Sequence, residues 1–91
     1  MAATGSYFTL VMEGASGYNK ILNFQKWLDS LPGVIAVSEV ESSDSKSTLL
    51  IKYNCSRNEL KESIFKLLTS KGWVTRLIRS ENNRMFIKVL N

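Results

Sequence analysis

The apolar residues switch repeatedly between the two-residue repeat of a strand and the three-to-four-residue repeat of a helix. From Tyr7 to Glu13 (YFTLVME) Phe8, Leu10 and Met12 fall on one face, and Tyr7, Thr9 and Val11 on the other. Both faces are largely apolar, which predicts a central strand. Gly14-Ala-Ser-Gly17 breaks it. Asn19 to Leu31 then places Ile21, Phe24, Leu28 and Leu31 on one helical face, with Trp27 beside that stripe and Ser16 or Asn19 as N-cap candidates. Pro32-Gly33 ends the helix, because proline cannot continue it and glycine accepts the left-handed turn.

Val34 to Glu41 (VIAVSEVE) reads as a strand whose far end turns polar, as suits a sheet edge. A polar turn, Ser42 to Lys46, joins it to Ser47 to Tyr53 (STLLIKY), which alternates Leu49, Ile51 and Tyr53 against Thr48, Leu50 and Lys52. Ser56 followed by Glu59 is the capping box of a second helix, Arg57 to Lys71, with Leu60, Ile64, Leu67 and Leu68 inward and Gly72 past its end. Trp73 to Arg79 is a further strand. Asn82-Asn83 suits a tight turn, and Met85 to Leu90 (MFIKVL) returns as a terminal edge strand.

This order is βαββαβ with one extra strand. Right-handed crossovers put both helices on one face, which predicts an α+β, ferredoxin-like sandwich. The expected strand order is 5-4-1-3-2, with the fifth strand outside the fourth. The side away from the helices has no layer to cover it. Residues 7–91 read as a single domain, and Met1 to Ser6 as a flexible N-terminus or expression remnant. The apolar content, 44%, is too high for a disordered chain, and no apolar run is long enough to cross a bilayer.

The residue census removes several kinds of chemistry. There is no His, so Ser-His-Asp and Cys-His catalysis are excluded. A single Cys allows neither an internal disulfide nor a multi-thiolate metal site. No cofactor is implied, no enzymatic activity is expected, and the compartment is left open. Net charge is +4 but unevenly spread: two bases face five acids in residues 1–45, and ten bases face three acids in residues 46–91. A basic half attracts acidic partners, nucleic acid or anionic lipid, although its bases are spaced singly.

A strand ending in Met12-Glu-Gly14, then Leu31-Pro32-Gly33-Val34, the Val37/Val40 strand, the Tyr53 strand end and the Lys71-Gly72-Trp73 helix end together resemble the heavy-metal-associated domain over roughly residues 7–78. That resemblance implies the βαββαβ fold. The family's metal site is a Cys-x-x-Cys entering the first helix, and here the loop reads Gly14-Ala-Ser-Gly-Tyr-Asn-Lys20. Soft-metal carriage needs two thiolates, so it does not transfer. RNA-recognition domains share the expected topology, but their Lys/Arg-Gly-Phe type of signature is missing, and the third strand offers only Tyr53 near its end.

Other residues offer weaker chemistry. Cys55 has Lys52 and Arg57 near it in sequence, which would favour a thiolate, although a small turn residue is the simpler reading. Gly14 to Gly17 lacks the fuller phosphate-loop pattern. Glu39 and Glu41 share one face of an ideal strand, toward a solvated end. Trp27 and Trp73 suit rim packing or contact anchoring. The favoured expectation is a non-catalytic protein-interaction or assembly module, with a protein partner or a second copy docking on the open face or on the terminal edge strand. Its contact residues would be Tyr7, Thr9, Val11, Leu50, Lys52, Phe86 and Lys88. The alternative is nucleic-acid binding through Lys52, Arg76, Arg79, Arg84 and Lys88.

Overall fold

The computed structural model describes residues 6–14, 18–42 and 46–90. Its elements run β1 (Ser6–Glu13), α1 (Tyr18–Asp29), β2 (Val34–Ser42), β3 (Lys46–Tyr53), α2 (Arg57–Ser70), β4 (Thr75–Ser80) and β5 (Arg84–Val89). Ser6, expected in the N-terminal extension, begins β1 and pairs with Tyr53. The remaining extension, the Ala15–Gly17 segment with the N-cap candidate Ser16, and turn residues 43–45 lie outside the described residues, as does the side chain of Asn19.

Local chemistry sets the element ends. The Ser56 hydroxyl accepts the Glu59 N–H at 3.1 Å, and the Ser56 N–H donates to the Glu59 carboxylate at 3.3 Å, so two otherwise orphaned N–H groups at the start of α2 are satisfied. At the other end Gly72 takes φ 78°. The Trp73 N–H then reaches the Leu68 carbonyl and the Gly72 N–H the Thr69 carbonyl, each at 3.0 Å, which is the Schellman arrangement. Trp73, expected to open a strand, therefore closes the helix. Its ring stacks on Phe24 at 5.3 Å and meets Trp27 edge-on at 6.0 Å, tying α1 to the end of α2.

One core forms between the helices and one side of the sheet. Phe8, Leu10 and Met12 of β1, Leu49 and Ile51 of β3, and Met85 and Ile87 of β5 pack against Ile21, Phe24 and Leu28 of α1 and Leu60, Ile64 and Leu68 of α2. The strand order is β2-β3-β1-β5-β4. β1 is antiparallel to β3 and parallel to β5, and both hairpins are antiparallel.

This order corrects the expected 5-4-1-3-2 ferredoxin-like arrangement. The slot beside β1 holds β5, not β4, and β4 is the outer edge. The reason lies in the two sequences. β5 offers Met85, Ile87 and Val89 on one side, all buried, whereas every β4 residue after Thr75 is exposed, two of them arginines. A strand flanked on both sides and roofed by a helix must bury one face, and only β5 can do so without burying charge. The chain therefore crosses from α2 to the edge, descends as β4 and returns as β5. Glu81 N–H to Arg84 carbonyl, 2.7 Å, closes that turn, and the Asn83 carbonyl accepts the Thr9 N–H at 2.9 Å to seat it against β1.

Candidate functional site

Directly opposed residues on neighbouring strands point to the same side of a sheet, so the pairings map the face away from the helices. One row across it reads Lys46, Glu13, Lys88, Arg76. The next reads Glu41, Thr48, Val11, Phe86, Arg79. A third reads Ser38, Leu50, Thr9, Arg84, and a fourth Ala36, Lys52, Tyr7. Every residue expected to contact a protein or nucleic-acid partner thus lies on one face, brought together from β1, β3, β4 and β5.

Their environments differ. Tyr7 is 55% exposed, with the Lys52 ammonium 5.9 Å from its ring centre. Phe86 is half-buried, with the Arg79 guanidinium 5.7 Å from its ring centre, and Arg79 also pairs with Glu81. Thr9, Leu50 and Lys52 are partly accessible, and Arg76, Arg84 and Lys88 are exposed. Val11 does not fit its expected role. It is on this face but only 5% accessible, seated between Thr48 and Phe86, so it supports the surface and does not present itself.

A second correction concerns the edge. Phe86 and Lys88 were expected on a terminal edge strand open to strand addition, but β5 is paired on both sides. The free edges belong to β2 and β4. Both carry register shifts, at Ile35 and Val40 in β2 and at Ile78 in β4, and such bulges blunt an edge against pairing. The Val40 shift also separates Glu39 from Glu41. Glu39 pairs with the inward Leu49 and Glu41 with the outward Thr48, so the two carboxylates do not share a face.

Charge distribution was only half legible in sequence. The open face holds six bases (Lys46, Lys52, Arg76, Arg79, Arg84, Lys88) and two acids (Glu13, Glu41). Among the other described residues six bases meet five acids. The chain's excess positive charge is therefore concentrated on the uncovered face. Glu13 sits between Lys46 and Lys88, and Glu41 lies on the far edge strand. What remains is a basic field over β5 and β4. The order expected from sequence put Arg84 and Lys88 on the outer strand; the parallel β1–β5 pairing sets them beside the centre of the sheet instead.

Elsewhere the chemistry is sparse. Cys55 is half-buried beneath Gly33, where a Cβ would lie 2.8 Å from its sulfur. Its sequence neighbours are engaged away from it: Arg57 donates to the Asn82 carbonyl at 2.8 Å, and Lys52 lies over Tyr7. Among the described residues no three His, Cys, Asp or Glu side chains gather as a metal site. No helix among them is long and apolar enough to cross a membrane. The depressions on the helix layer are open. One follows α2 along Glu62, Phe65, Lys66, Thr69 and Ser70, and another lies between the α2 start and Asn82. No family model and no curated protein matches the chain.

Proposed function

We propose that this chain is a non-catalytic interaction module whose uncovered sheet face takes another polypeptide. One observation carries the reading. A face with accessible Tyr7, partly accessible Leu50 and half-buried Phe86 has no covering layer among the described residues, while the opposite face packs the core against two helices. Apolar side chains set among charged ones suit a docking surface. A second reading, nucleic-acid binding, is favoured by the same face, because Lys52, Arg76, Arg79, Arg84 and Lys88 all point from it.

A photo-crosslinking amino acid at position 50 tests the docking reading against a control at position 66 on the exposed side of α2. In extract from the native source the expected outcome is a discrete polypeptide adduct at 50 and none at 66. Equal labelling at both positions, or none at 50, would refute a docking role for this face.

A further inference from the structure

We infer that the polypeptide seated on this face is acidic: an extended segment whose carboxylates meet Arg76, Arg79, Arg84 and Lys88 while an apolar side chain rests beside Phe86 and Leu50. The inference rests on the docking reading above and adds the chemistry of the partner. It starts from an arrangement that the fold itself does not favour. Arg76 lies directly opposite Lys88, and like charges at opposed positions weaken a sheet. Arg84 and Arg79 are diagonal neighbours across the same strand pair. Adjacent strands are about 4.8 Å apart and diagonal residues roughly 7–8 Å, so each of these two pairs falls within about one Debye length at physiological salt, and about four residues of an extended segment span the roughly 13 Å from Lys88 to Arg84 along β5. They act on a partner together.

The alternatives fit less well. A second copy docking through this face would set one basic surface against another. A single-stranded nucleic acid would use exposed rings as stacking platforms. Here the two aromatics belong to different strands, Phe86 opposite Val11 and Tyr7 two pleats further along, and each ring already has a cation over it. The floor between them is Thr9, Thr48 and Leu50, which suits aliphatic side chains and backbone and not bases. The nearby acids offset the field only in part: Glu81 pairs with Arg79, Glu13 is shared between Lys46 and Lys88, and Glu41 sits across the sheet, so the four bases keep a net positive charge.

The test titrates the ¹⁵N-labelled chain with three probes: a short peptide of alternating Glu and Val, its Gln-for-Glu counterpart, and an oligothymidylate. The expected result is amide shifts centred on Leu50, Phe86 and Lys88 with the acidic peptide, and an affinity that falls severalfold from low to physiological salt. R76E with R84E should weaken that binding by about tenfold or more, while Lys66→Glu on α2 leaves it unchanged; circular dichroism verifies that each variant is folded. Equal binding of the Gln peptide would overturn the acidic partner and leave the docking reading intact. Tighter binding of the oligothymidylate at the same residues would overturn both in favour of nucleic acid. Shifts from no probe would overturn the acidic partner, and the crosslinking at position 50 then decides the docking reading separately.

Discussion

Truncating one isoleucine distinguishes the observed sheet from the order that the sequence pattern suggests. Ile87 is fully buried in β5, opposite Leu77 of β4, which is 45% exposed. Ile87→Ala deletes three buried carbon groups. At about 0.8 kcal/mol each that is roughly 2.4 kcal/mol of transfer free energy, and the cavity left between the helix layer and the sheet raises it to about 3–4 kcal/mol. Leu77→Ala removes a side chain already half in water, leaves no enclosed cavity, and should cost about 1 kcal/mol or less. A domain of this length is stable by roughly 5–14 kcal/mol, so the first change removes a large share and the second does not. Urea unfolding followed by circular dichroism reads both as shifts in midpoint at constant m. If β4 lay beside β1 and β5 at the edge, the costs would be reversed. A Leu77→Ala penalty equal to or above that of Ile87→Ala would therefore refute the β2-β3-β1-β5-β4 order.

Other perturbations follow from the same packing. Gly14 and Gly72 share φ 78°, but a Cβ at Gly14 would lie 2.6 Å from the Val89 carbonyl oxygen, and one at Gly72 meets nothing within 4 Å. Gly72→Ala should cost about 1–2 kcal/mol for the left-handed backbone alone, and Gly14→Ala distinctly more, by thermal melting; equal losses would remove the close approach. Ser56→Ala deletes the acceptor of the Glu59 N–H and should cost about 1 kcal/mol in urea, and no loss would mean that the cap is idle. Trp73→Ala should cost about 3–5 kcal/mol and red-shift the remaining fluorescence, now from half-buried Trp27 alone; an unchanged midpoint would contradict its stacking on Phe24. Arg76→Glu places opposite charges at the Lys88 pair and should raise stability slightly while weakening acidic-peptide binding, a trade that a purely structural arginine would not show.

Much of the local structure was legible because it depends on neighbours in sequence. Ser56 and Glu59 lie one turn apart whatever the fold, Gly72 ends α2 by its own backbone freedom, and the alternation in β1, β3 and β5 already named the inward residues. The candidate face was legible to the same extent: Tyr7, Leu50, Lys52 and Phe86 were separable from the core by period alone, because a pleated strand sends alternate side chains to opposite sides. Val11 was not, since its burial comes from residues on two other strands.

The tertiary structure decided what period cannot express. Period says that β4 and β5 are strands and which side of β5 is apolar, but a hairpin can enter a sheet from either arm. That choice went to the arm able to lose one whole face to the core, because leaving Met85, Ile87 and Val89 in water while roofing over the arginine-bearing strand would forfeit apolar burial and desolvate charge. Register then did the rest. The bulge at Val40 turned Glu39 and Glu41 to opposite sides, and the parallel pairing of β5 with β1 gathered bases that are separate in sequence into one field beside Phe86.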